Sequence, residues 1–215
     1  VRRTGRRAGC SPAQYLAGDG RIEGVAVVWN ANAEDGLLAL SAQGDVQGLV
    51  RSELQRMRLA RLMPAGWHNF FSFGDGSIFT EGPGQRIDCE THKNVGILQY
   101  PLVDQPLQPG LTLDWRWVVE RLPSHLPEDQ LLSHDYLSIA VEFDDGQDIT
   151  YLWGSGLPVG KVFRCPIPGW DAVETHVVQR SGLTDLGKPF DERRDLHEDY
   201  RRIVGGKATR AVRVW

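Results

Sequence analysis

Two copies of the tripeptide Glu-Thr-His stand in the sequence, as Glu90-Thr91-His92 and Glu174-Thr175-His176. On a strand, residues two apart share a face, so each copy would project a carboxylate and an imidazole side by side. That pairing suits an acid–base couple in which Glu orients His. Two neighbouring copies would also suit a His/carboxylate metal site. The metal-ligand candidates are therefore His92, Glu90, His176 and Glu174. His134 and Glu142, just before and within a predicted strand, join Glu174 and His176 as proton-handling candidates. Asp144, Asp145 and Asp148 offer calcium-type oxygens, but Asp-Asp-Gly is already accounted for as turn chemistry.

Other chemistries lack their patterns. The chain has no Gly-x-Ser-x-Gly elbow, no Walker-type loop, no dinucleotide fingerprint after a strand and no His-Glu-x-x-His helix. Any reaction is thus expected to proceed without a nucleotide, with either no cofactor or a divalent metal. Cys10, Cys89 and Cys165 are odd in number and widely spaced, which argues against a disulfide framework or zinc ribbon. They read as buried or idle thiols in a reducing compartment.

The elements that position these residues are mostly strands. Thr112 to Leu122 alternates, with Leu113, Trp115, Trp117 and Val119 on one side and Asp114, Arg116, Val118 and Glu120 on the other. Leu137 to Phe143, Ile149 to Trp153, Val162 to Cys165, Glu174 to Arg180 and Arg210 to Trp215 are further strands. Asp145-Gly146 lies between two alternating runs and predicts a two-residue type I′ hairpin. That register sets Glu142 opposite Ile149, Ala140 opposite Tyr151 and Ser138 opposite Trp153. Ser138, Ala140, Glu142, Ile149, Tyr151 and Trp153 then form one aromatic and polar wall, expected to hold a ligand against rings. Tyr151, Trp153, Ser138 and Trp117 are the substrate-binding candidates on this reading.

Helices are expected at Ser11–Gly18, at about Asp45–Met63 with Asp45 as cap, and at Asp191–Val204, ended by Gly205. In the last, Leu196, Tyr200, Ile203 and Val204 face inward. Arg193 and Arg194 are expected either to pair along the helix or to reach the sheet, meeting a ligand anion or Glu142. Together these elements predict a mainly β chain: an antiparallel β-sandwich, with a helical N-terminal segment (1–66) packed on a β-sandwich domain (67–215) and one C-terminal helix.

Trp115-Arg116-Trp117, Asp135-Tyr136 through Phe143-Asp144, Thr150-Tyr151-x-Trp153, Glu192-Arg193-Arg194, and Glu198-Asp199-Tyr200-Arg201-Arg202 with Gly205 together resemble a bacterial family of unknown function, DUF3047. The likeness runs from about Phe70 to Gly206. It implies a sandwich of lectin-like or jelly-roll type and assigns no catalytic residues.

Composition narrows the partners. A net charge of -4 gives no electrostatic reason to expect nucleic acid. The arginines at 51, 56, 58 and 61 read as a solvated helix face. No apolar run reaches the roughly 18 residues needed to cross a bilayer. Arg2-Arg3, Arg6-Arg7 and Ala8-Gly9-Cys10 resemble export signals but lack an apolar core segment, so a cytoplasmic location is expected. Three functions fit: an enzyme of lyase, hydratase, isomerase or hydrolase type acting on a small molecule or carbohydrate; a non-catalytic carbohydrate- or small-ligand-binding module; and a structural or assembly protein whose sheet face and basic helix form an oligomer contact, such as a homodimer.

Overall fold

Period-two alternation dominates the second half of the chain, and strands dominate the structure. A computed structural model describes residues 64–73, 78–91, 95–123, 125–130 and 137–215. The expected helices at 11–18 and 45–63, with nearly all of the expected 1–66 segment, lie outside the described residues, as do His92 and His134.

Among the described residues eleven strands follow one another: β1 (His68–Phe73), β2 (Phe79–Gly82), β3 (Arg86–Cys89), β4 (Val95–Pro106), β5 (Thr112–Val118), β6 (Leu137–Phe143), β7 (Asp148–Gly154), β8 (Val162–Arg164), β9 (Glu174–Ser181), β10 (Pro189–Asp195) and β11 (Arg210–Val214). A short helix, α1 (Leu196–Asp199), sits between β10 and β11 and continues as a π-helical turn over Tyr200–Val204. Seven strands make one sheet in the order β1-β4-β11-β6-β7-β9-β8. β10 and β5 form a two-stranded ribbon, and β2 and β3 another.

The sheet is mixed, which corrects the all-antiparallel expectation. β7 and β9 run parallel, with Asp148 beside Glu174 and Tyr151 beside Val177. The connection between them contains β8, which turns back to pair antiparallel with β9. β9 therefore sits between β7 and β8, and Asp148 is seated next to the second Glu-Thr-His.

The β6–β7 hairpin forms with a register one residue away from the expected one. Leu137 pairs with Trp153, Ile139 with Tyr151, Val141 with Ile149, Ala140 with Thr150 and Glu142 with Asp148. The turn explains the slip. A type I′ turn needs positive φ at two successive residues, yet here only Gly146 has it, at 82°. Gly146 N–H donates to the Phe143 carbonyl at 2.9 Å, and Phe143 N–H donates to the Gln147 carbonyl at 2.9 Å. This is a three-residue loop, Asp144-Asp145-Gly146, closed by a left-handed glycine. One extra loop residue moves every side chain of one strand relative to the other face.

Directly opposed residues share a face, so Tyr151, Trp153 and Ile149 lie with Leu137, Ile139 and Val141. This is the ribbon side of the sheet. Val141, Phe143, Ile149, Tyr151, Val177, Leu196, Tyr200 and Ala211 form its main core, and Trp117, Val119, Leu122 and Trp153 form a second cluster. β5 packs here as expected, with Leu113, Trp115 and Trp117 turned inward and Asp114, Arg116 and Val118 exposed.

The helix expected from Asp191 begins five residues later. Asp195, not Asp191, is the N-cap, and its carboxylate accepts from Glu198 N–H at 2.9 Å. Residues 189–195 are strand because their charges alternate against β5. Arg116 meets Asp191 and Asp114 meets Arg193 directly across the ribbon, while Glu192 points inward. The C-terminal boundary agrees with expectation: Gly205 takes a left-handed φ of 68°, and its N–H bonds the Tyr200 carbonyl.

Candidate functional site

Glu174 and His176 occupy alternate positions of β9 and do share a face, as the tripeptide spacing requires. His176 Nε2 lies 3.0 Å from Glu174 Oε1, with the imidazole fully buried and the carboxylate side chain 10% exposed. Thr150 sits beside His176 in the parallel register, and its Oγ1 donates to Glu174 Oε1 at 3.1 Å. Cys165 follows β8, and its N–H bonds the Glu174 carbonyl at 3.1 Å. One donor atom each from Cys165, Glu174 and His176 lies within 4.8 Å of the other two, and all three residues are buried. The Phe163 ring meets the imidazole edge-on at 4.8 Å and closes one side.

The same face carries a row of carboxylates. Register places Glu142 of β6 opposite Asp148 of β7, and Asp148 beside Glu174 of β9. All three are buried. At the far end Arg213 of β11 holds Glu142 Oε2 at 3.0 Å and donates to Gln99 at 2.8 Å. Burial and then the Glu174 charge push the Cys165 thiol up, so at neutral pH it is a thiol and not a nucleophilic thiolate.

The expected aromatic wall is dispersed. Ser138 and Glu142 lie on the face opposite Tyr151 and Trp153, and both aromatics are completely buried in the core. They meet other side chains, not an open groove. Trp153 Nε1 donates to the Gly182 carbonyl, and its ring packs on Trp117 and Phe190. Trp117, also buried, donates through Nε1 to Glu192 at 3.1 Å. Arg193 is exposed and pairs with Asp114 across the ribbon. Arg194 makes a two-pronged pair with Asp199 at 2.7 Å per contact and lies 5.3 Å from the Tyr151 ring. Neither arginine pairs with Glu142, whose partner is Arg213.

Glu90 is exposed just after β3, in a sheet separate from that of β9, so no shared sheet joins it to Glu174. The three turn aspartates also diverge. Asp144 accepts from Thr209 N–H and Oγ1, Asp145 binds the Tyr200 hydroxyl, and Asp148 is buried in the carboxylate row. Partial burial works against Asp144 ionising, but the Thr209 and Arg210 bonds outweigh it and hold its carboxyl below the ordinary range.

Thr150 and Arg213 were not among the candidates, and Cys165 was expected to be an idle thiol. Cys165 had a usable signal: nine residues before Glu174, at the end of an alternating segment, it shares parity with Phe163. Asp148 was weighed only as a calcium-type oxygen; the observed register is what seats it between Glu142 and Glu174.

A family profile described as "Protein of unknown function (DUF3047)" matches residues 77–215. The chain belongs to the DUF3047 family. No curated protein and no solved structure matches it. Among the residues quoted for the likeness, Trp115, Trp117, Tyr151, Trp153, Glu192, Arg194 and Asp199 lie in the contact between the ribbon and the large sheet.

Proposed function

We propose that this DUF3047 chain is an enzyme acting on a small polar molecule or carbohydrate without a nucleotide cofactor, by acid–base chemistry of hydrolase or lyase type. The observation that carries the reading is the 3.0 Å contact between Glu174 and His176, held on one strand with the imidazole fully buried. A carboxylate and an imidazole within hydrogen-bond reach in a low-dielectric setting are suited to proton transfer.

The exposures divide the roles. Glu174 keeps a solvent-accessible edge and His176 has none, so Glu174 is the catalytic group that meets substrate and His176 is a positioning residue. When Nε2 donates to Glu174, Nδ1 is left as the basic nitrogen. Thr150 adds a second bond that fixes the carboxylate. Glu142, with a side-chain exposure of 11%, extends the polar surface beside it, and Arg213 supplies positive charge for an anionic substrate group. The proposed fold is a lectin-like sandwich, a reading supported by the packing of the two-stranded ribbon on the seven-stranded sheet. A purely lectin-like binder is the weaker reading, because Tyr151 and Trp153 are packed inside the core.

The test is turnover on a panel of nitrophenyl esters, nitrophenyl glycosides and uronate-type elimination substrates. Glu174→Gln should lower kcat by about 10²–10⁴-fold, the range of general acid–base catalysis. His176→Gln should lower kcat with little change in KM and shift the pH profile. Unchanged turnover in both variants, or none by the native chain across the panel, would refute the proposal.

A further inference from the structure

We infer that Cys165, Glu174 and His176 form a site for one thiophilic divalent cation of the zinc type, with its fourth position open. This deepens the acid–base reading above, since it rests on the same Glu174–His176 pair. The donor set is the first argument: one sulfur, one imidazole nitrogen and one carboxylate oxygen, a combination that suits zinc better than calcium or magnesium. Three protein ligands also match the number that catalytic zinc sites use, leaving one place for water or substrate.

Geometry is the second argument. Three atoms no more than 4.8 Å apart admit a point within about 2.8 Å of each, against metal–ligand bonds of about 2.0–2.3 Å. Both carriers are strand-anchored: β8 is bonded to β9, and Cys165 N–H is tied to the Glu174 carbonyl. Thr150, bonding the carboxylate from the neighbouring strand, acts as the outer partner that ligating carboxylates need. Burial of all three residues lowers the local dielectric and strengthens the attraction between the cation and its ligands.

Binding breaks the S–H bond of Cys165, forms a sulfur–metal bond and releases the proton to solvent. The two nitrogen and oxygen ligands donate lone pairs without change of oxidation state.

The experiment uses the full chain, purified reduced and treated with chelator, with Cys10 and Cys89 both changed to Ser in the parent to remove other thiols. Zinc alone should bind with one equivalent per chain and raise Tm by mass action. Cobalt(II) in its place should give a thiolate-to-metal charge-transfer band. Cys165→Ser should abolish that band, and Thr150→Val, which keeps the ligands, should weaken zinc affinity about 10–100-fold. A native-like circular dichroism spectrum for Cys165→Ser separates a lost ligand from a lost fold. The inference is overturned by less than 0.2 equivalent of zinc bound, or by binding and charge transfer that survive in Cys165→Ser. If zinc fails to bind while Glu174→Gln still abolishes turnover, the metal falls and the acid–base reading stands. If zinc binds as expected but Glu174→Gln turns over normally, the reverse holds.

Discussion

On the ribbon side of the seven-stranded sheet, Asp199 takes a two-pronged bond from Arg194 and a third from the Tyr151 hydroxyl at 2.8 Å. Glu192 there takes bonds from Trp117, Gln179 and Arg180. On the opposite side, Glu174 takes its bonds from an imidazole and a hydroxyl, with a thiol near by. Both sides bury carboxylates. The first mates them to guanidinium groups that stay charged at any working pH; the second mates Glu174 to groups that can gain or lose protons. A permanent pair fixes structure, whereas a titratable cluster can exchange protons or accept a metal. Of the motifs that carry the family likeness, Trp115, Trp117, Tyr151, Trp153, Glu192, Arg194 and Asp199 fall on the first side, and Glu142 and Thr150 on the second.

The ribbon-side network should therefore dominate stability. Asp199→Ala strands Arg194 and Tyr151, and Glu192→Ala strands Arg180, Gln179 and Trp117. Removing one partner of a buried ion pair costs about 3–5 kcal/mol. In a domain of this size that lowers Tm by about 10 °C. Thermal melts of each variant check it; a fall under about 3 °C would erase the contrast. By comparison, Glu174→Gln keeps the Thr150 bond and should cost no more than about 1 kcal/mol.

Tyr200 comes next in size. Its hydroxyl binds Asp145 in the hairpin loop and accepts from Ala208 N–H at 3.0 Å, while its ring packs on Phe143. Tyr200→Phe leaves those polar groups without that partner and should cost about 1–3 kcal/mol. Burial and then Asp145 raise the phenol from 10.0 to about 12. Because the folded value is the higher one, this contribution is intact below pH 10 and is lost as pH rises towards 12. Denaturant midpoints measured from pH 9 to 12 should fall more steeply for the native chain than for Tyr200→Phe. Parallel curves would sink the claim.

What the sequence made legible follows from how local each signal is. Period-two alternation is local, so the ends of β6, the faces of β5 and the shared face of Glu174 and His176 could be read directly. The helix stop at Gly205 was equally local. Register was not, because it depends on φ at Asp145, and Asp-Gly serves both a two-residue and a three-residue loop. That single residue moved Tyr151 and Trp153 from an imagined groove into the core. β10 was misread because Asp191 with Arg194, and Arg194 with Glu198, also satisfy helical ion-pair spacing; only the opposing charges of β5, some 75 residues away, settle their state. β4 was missed for a different reason. Pro101, Pro106 and a left-handed Asp104 interrupt a strand that its neighbours β1 and β11 nevertheless hold in the sheet.

The smallest expected effect sharpens the comparison most, because it concerns ion pairs of good geometry in the wrong place. Arg116 grips Asp191 with two bonds of 2.6 Å, as close as the Arg194–Asp199 pair. Yet both side chains are about two-thirds exposed, at 67% and 71%. Water already solvates the separated ions, so their union gains little, and salt screens what remains. The Arg116 bond still holds the Asp191 carboxyl below the ordinary range. A depressed folded value stabilises above the unfolded pKa and is lost as pH falls through the folded one, so any contribution should fade below about pH 4. Arg116→Gln should move Tm at pH 7 by less than a repeat measurement does, while the Asp191 carboxyl resonance titrates at higher pH than before. Should this exposed pair instead match Asp199→Ala in Tm loss, charge geometry and not burial would govern stability here, and the contrast between the two faces would lose its basis.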